Sequence, residues 1–233
     1  FIKNHKSYIN FYLFFTFILI SVVCCARRPR DDSDGNVAVV AIGVLYCGEE
    51  QYLLRKLLEW RRWDRSVSDR YAFIVVDDGC SGPRAEEIIR GNATDDALDI
   101  IIDIYEVLRD IPWNIGGARN LLMTVAGGER PAGIPVFMID MDLGVSEDLA
   151  KAVADYAATM DQATVVIDFD RVFEDRPQEH RTHPAAMLIL PSTYFLVGGC
   201  DEDFARHDLC RALFSIGRSI FHCHMAWMFI PAY

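Results

Sequence analysis

The chain has 233 residues, a net charge of −11 and 52% hydrophobic residues, enough for one sizeable α/β domain and not comfortably two. Residues 1–30 hold five Lys or Arg and no acid, so the overall −11 becomes −16 for the other 203 residues. So acidic a body argues against nucleic-acid binding, which needs a basic face, and seven cysteines without a CxxC pair argue against a zinc site.

The first element is apolar. From Phe11 to Ala26 there is no charged residue, with Lys3 and Lys6 before the run and Arg27, Arg28 and Arg30 after it. Counted from Tyr8, its length suits either a spanning helix or the core of a signal peptide. Residues 1–26 are therefore expected to be a signal-anchor or a cleaved signal peptide. Each sends the rest of the chain into the secretory pathway, with a lumenal domain at the Golgi or endoplasmic reticulum membrane. In that oxidising compartment one or two disulfides are allowed, although spacing does not pair them. Residues 27–36, "RRPRDDSDGN", read as a linker or stem.

Strand and helix then alternate. "VAVVAIGVLY", 37–46, is a continuous apolar run, the pattern of a strand buried on both faces. Helical spacing of apolar residues follows over 49–63. A second buried strand, 71–79, ends in "VVDDG", and a short helix closes at Gly91. The pattern predicts a third strand over 97–107, a Gly-led helix over 114–128 and a fourth strand over 134–142. A helix over 146–160 starts at Ser146, a good N-cap. Residues 163–170 and 185–199 read as further strands, with Pro191 as a break. Such alternation predicts a mostly parallel sheet with helices on both faces. The active site of such a sheet lies off the carboxyl ends of its strands.

That rule gives the acidic pairs their interest. Asp77 and Asp78 end the second strand, where a carboxylate can accept hydrogen bonds from a ribose or a base imide. In "PWNIGGARN", 112–120, Gly116 and Gly117 open a helix whose free N–H groups favour an anion. Arg119 can place a fixed charge on a phosphate, Asn114 can cap the helix, and Asn120 can hold a neighbouring loop. "IDMD" places Asp140 and Asp142 at the end of the fourth strand, where alternation would put both on one side. Carboxylate oxygens suit Mg²⁺ or Mn²⁺. A second Asp-x-Asp, Asp168 and Asp170, repeats the pattern. Last, "FLVGGCDEDFARHD", 195–208, crowds Asp201, Glu202 and Asp203 behind a Gly pair. Like charges that close raise one another's pKa, as a general base requires.

Taken together and in order, "VVDDG", "WNIGGARN", "IDMD" and "GGCDEDF" make residues 37–208 resemble the family 2-like glycosyltransferases with the GT-A fold, in the nucleotide-diphospho-sugar transferase superfamily. The resemblance implies a single Rossmann-like α/β domain with a mostly parallel sheet flanked by helices. It implies a metal-dependent glycosyltransferase of hexosyltransferase type. Such an enzyme moves a sugar from a nucleotide-diphospho-sugar donor to a hydroxyl of a glycan, glycoconjugate or other acceptor, with inversion. By the same resemblance Asp77 and Asp78 contact the nucleoside, and Asn114, Gly117, Arg119 and Asn120 belong to the donor site. Asp140 and Asp142 hold Mn²⁺ (or Mg²⁺) on the diphosphate, and Asp201, Glu202 and Asp208 are the candidate catalytic carboxylates. Membrane contact is expected only through the N-terminal segment.

The chain also departs from that family. Its first strand runs into "LYCGEE" rather than a Pro-x-Tyr-Asn-type turn. Where a Gly and a Glu-Asp pair often follow the Asp-Glu, this chain has "HDLCRAL", with Asp208 the acid at hand. Residues 209–233 form an atypical apolar tail, in which His222 and His224 could serve as a late metal ligand or as structural residues. Three other readings therefore stay open. One is a haloacid-dehalogenase-like phosphatase using either Asp-x-Asp. Another is a nucleotidyltransferase on the same fold. The third is a non-catalytic or truncated sugar-nucleotide-binding domain.

Overall fold

The computed structural model describes residues 38–92, 100–107, 114–128, 133–160, 166–173, 176–196, 198–200 and 227–230. The elements in chain order are β1 (Val40–Tyr46), α1 (Glu50–Arg62), α2 (Arg65–Ser68), β2 (Tyr71–Asp77), α3 (Ala85–Gly91), β3 (Ile102–Glu106), α4 (Ile115–Gly128), β4 (Val136–Ile139), α5 (Glu147–Ala157), β5 (Val166–Phe173), β6 (Arg176–Ile189), α6 (Pro191–Leu196) and β7 (Trp227–Ile230). The apolar segment 1–26 and the linker 27–36 lie outside the described residues. Among the described residues no helix is long and apolar enough to cross a membrane.

All seven strands of the described residues join one sheet in the order β3-β2-β1-β4-β6-β5-β7. β1 pairs in parallel with β2 and with β4, and β2 with β3. β6 runs antiparallel to both β4 and β5, and β5 pairs in parallel with β7. Six strands therefore share one direction and β6 alone opposes it. The expected mostly parallel sheet is the observed one.

Alternation along β1 sorts its side chains between two cores. Val40, Ile42, Val44 and Tyr46 face the layer of α1 and α5, with Leu53, Leu57, Trp60, Leu149 and Val153. Ala41 faces the layer of α4, with Leu121, Leu122 and Met123. A side chain at Gly43 would strike Leu122 of α4, so this helix lies close against the strand there. α1 has acidic Glu50 in its first turn and Arg61 and Arg62 in its last, each favourable to the helix dipole. In α5, Ser146 caps as expected, its Oγ accepting from the Leu149 N–H at 3.2 Å.

Three expectations are corrected. Residues 185–199 are not one strand broken by Pro191. The strand ends at Ile189 and Pro191 opens α6, because proline fits the first helical position, where no N–H is needed. β6 also reaches back to Arg176, through polar residues that carry no strand pattern. The fourth strand stops at Ile139, and Asp140 to Asp142 form a turn, closed by the Leu143 N–H donating to the Asp140 carbonyl at 3.2 Å. The two aspartates are therefore related by a turn, not by strand alternation. In the tail, 227–230 add a strand at the sheet edge.

Candidate active site

β2 and β4 flank β1, so Asp77, Asp78, Asp140 and Asp142 all sit at the carboxyl edge of the sheet. Two strand spacings separate the tips, about 10 Å.

The tip of β2 is tightly fastened. Asp77 is 3% exposed. Its Oδ1 accepts from the Gly79 N–H at 2.9 Å and its Oδ2 from the Ala85 N–H at 2.8 Å. Arg84 lies 3.6 Å from Asp77 and 3.2 Å from Glu106, bridging β2 to β3. The Tyr46 hydroxyl donates to the Pro83 carbonyl at 2.8 Å. Burial, with the Asp77 charge adding to it, pushes that phenol up to about 12, so it stays a donor. A disulfide joins Cys47 after β1 to Cys80 after β2, with Cα atoms 4.9 Å apart. Spacing could not pair these cysteines; the approach of the two loops does. Asp77 thus spends both oxygens on its own loop. The buried Asp78 carboxylate lies within 4.8 Å of both sulfurs. Cys47, Asp78 and Cys80 are the one set of three close potential metal ligands among the described residues. The disulfide takes up both thiolates, which leaves this set without its soft ligands.

The start of α4 is organised by Asn114, whose Oδ1 accepts from the Gly117 N–H at 2.8 Å. The cap therefore uses one of the helix's initial amides. Arg119 is 3% exposed on the same helix. One turn on, Asn120 turns away from the helix start. Its amide donates to the Cys200 carbonyl at 2.9 Å, and its Oδ1 accepts from the Cys200 N–H at 3.0 Å and the Tyr194 hydroxyl at 2.9 Å. It holds the loop that leads to Asp201. Asp201, Glu202 and Asp208, like His222 and His224, lie outside the described residues.

Beyond β4, the half-buried Asp140 lies 3.6 Å from Nε2 of His183, a buried residue of β6. Burial pushes the His183 imidazole below its ordinary value. The Asp140 and Asp142 carboxylates oppose that shift, and Arg171 and Arg119 add to it. These five side chains, from α4, the β4 turn, β5 and β6, therefore share one field. The second Asp-x-Asp is placed differently, with Asp168 and Asp170 inside β5, paired to Met187 and Thr182 of β6.

Two residues of this site were missed. His183 stands in a polar run without strand pattern. Lys56 had a signal: it falls on the buried stripe Leu53, Lys56, Leu57, Trp60 of α1. It is 1% exposed, and its Nζ donates to the Leu143 carbonyl and to Glu59 Oε1, the latter at 3.1 Å. Burial lowers the Lys56 pKa and raises that of Glu59, and each charge counters the other's shift.

The strand order, with β6 antiparallel in an otherwise parallel sheet, is that of a GT-A-like fold. No protein-family model and no curated protein matches the chain. Solved structures do. A mannosyltransferase from Pyrobaculum calidifontis, in complex with GDP-Man and Mn²⁺, superposes with a TM-score of 0.57 at 15% identity, over 82% of this chain and 56% of that one. TarS of S. aureus gives 0.56 at 14%, over 83% of this chain and 36% of TarS. A mycobacterial protein gives 0.54 at 10%, over 87% and 70%. The chain thus spans little more than half of the mannosyltransferase and about a third of TarS.

Proposed function

We propose that the chain is a glycosyltransferase that moves a sugar from a nucleotide-diphosphate donor to an acceptor hydroxyl. The observation that carries this reading is the Asp140–Asp142 turn at the carboxyl edge of the sheet, with His183 Nε2 3.6 Å from Asp140. The donor set fits a hard divalent cation. Two carboxylates from one turn suit Mn²⁺ or Mg²⁺, whose other positions go to water and substrate phosphates. Such a cation, when bound, offsets the charge of the leaving diphosphate. Arg119 and Arg171 supply further fixed positive charge beside it. The fastened tip of β2, with Asp78, forms the wall for the nucleoside, about two strand spacings away. Asn120 sets where the acceptor-side loop begins. From there a carboxylate among Asp201, Glu202 and Asp208 removes the acceptor proton, and the hydroxyl attacks in one displacement with inversion. The segment 1–26 directs this domain to the secretory pathway, as a membrane anchor or as a signal.

Two findings disfavour the phosphatase. Its nucleophile would be expected to open the domain, yet β1 ends in Tyr46 and Cys47 follows it, and the Asp168/Asp170 pair sits within β5. The deciding measurement is Mn²⁺-dependent binding and hydrolysis of UDP- and GDP-sugars, with Asp142→Ala as the control. If no nucleotide sugar binds with the cation present, the proposal fails.

A further inference from the structure

The turn that carries Asp140 and Asp142 is held from α1 by Lys56, whose Nζ donates to the Leu143 carbonyl, with Glu59 Oε1 3.1 Å from the same Nζ. The contact falls on the residue that follows Asp142. The turn's own hydrogen bond, from the Leu143 N–H to the Asp140 carbonyl, fixes the same residue from the other side. The Lys56 charge also acts on Asp142.

A core position gains little from this pair. Burying two charges costs several kcal/mol before their attraction is counted, and apolar residues of like volume often serve stability as well or better. Leu53, Leu57 and Trp60 fill the rest of the stripe without charge. What an apolar residue at 56 could not supply is a donor for the Leu143 carbonyl, and with it a fixed course for the backbone leaving Asp142.

We propose that Lys56, balanced by Glu59, is a positioning residue that holds the Asp140–Asp142 turn in the geometry that receives a divalent cation. The inference rests on the reading of Asp140 and Asp142 as cation ligands. Lys56 itself touches neither cation nor donor.

The test compares the full chain with Lys56→Met/Glu59→Gln, a pair of changes that removes both charges and strands neither. Mn²⁺ affinity is read by the electron paramagnetic resonance of the free ion, and backbone order by hydrogen exchange of the 140–146 peptide. Asp142→Asn serves as reference. In the double variant, exchange in 140–146 is expected to speed up while β1 and α5 stay protected. Mn²⁺ affinity is expected to fall roughly 10–100-fold, as when a group that orients a metal ligand is removed. Lys56→Gln/Glu59→Gln, which restores a donor to the Leu143 carbonyl, should recover part of the loss. A folded double variant that binds Mn²⁺ like the wild type, while Asp142→Asn does not, overturns the role of Lys56 alone. A wild type that binds no better than Asp142→Asn overturns the cation reading and this inference together.

Discussion

Asn120 and Cys200, 80 residues apart, are joined by two hydrogen bonds, with both backbone polar groups of Cys200 satisfied by one side chain. Gly199 makes the approach possible. It has φ of +68°, and a Cβ there would come within 3.0 Å of Asn120 Oδ1. Asn120→Ala strips partners from the Cys200 N–H, the Cys200 carbonyl and the Tyr194 hydroxyl. A buried group left unsatisfied costs about 1–3 kcal/mol, so a lowered unfolding midpoint is expected. Because the released loop leads to Asp201, turnover should drop further than donor binding. Titration with a nucleotide sugar and a turnover assay on the same variant check this, and equal losses in both would count against a loop-holding role.

The Cys47–Cys80 disulfide closes a loop of 33 residues. Chain entropy for a loop of that length gives a stabilisation of about 3–4 kcal/mol. Denaturant unfolding with and without a thiol reductant should differ by about that amount, and Cys47→Ser/Cys80→Ser should match the reduced protein. The same bridge pins the two loops beside Asp78, so donor affinity should fall on reduction as well. Unchanged nucleotide binding in the reduced, folded protein would remove the disulfide from the account of the site.

Much of this arrangement is legible in the sequence. A strand buried on both faces writes itself as an unbroken apolar run, which is why β1, β2 and β4 are legible, along with the acids at the tips of β2 and β4. Helix starts were legible at Ser146 and Asn114, because capping is local chemistry. Pairing was not. The polar half of β6 forms a strand because β5 offers it backbone partners, from Asp170–Thr182 to Phe173–Arg176, and hydrogen-bonded backbone leaves no trace in side-chain type. Tertiary contacts were equally hidden. Nothing local to Lys56 announces a carbonyl 87 residues away, and nothing local to His183 announces Asp140. Lys56 broke the pattern of its own helix, a charge on the buried stripe, and such a breach is where a functional constraint shows in sequence.

Gly43 sets how closely α4 lies on the sheet, since any Cβ there would strike Leu122. Gly43→Ala should cost about 1–3 kcal/mol by overpacking, and Gly43→Val more. The displaced helix carries Arg119 and Asn120, so donor affinity should weaken in step with stability. Adding Leu122→Val to Gly43→Ala frees space and should recover part of both. If the double change recovers stability but not binding, α4 is not what Gly43 positions.

The Lys56–Glu59 pair predicts a non-additive pattern of stability. Lys56→Met alone leaves Glu59, whose side chain is 18% exposed, as a largely buried charge without its partner. Losing one member of a buried pair costs about 3–5 kcal/mol, whereas replacing both charges is often neutral. Lys56→Met should therefore unfold far more easily than wild type, and Lys56→Met/Glu59→Gln should recover much of the loss. Urea unfolding of the wild type, Lys56→Met, Glu59→Gln and the double variant gives the coupling energy directly. A coupling near zero would mean that water, not Lys56, neutralises Glu59.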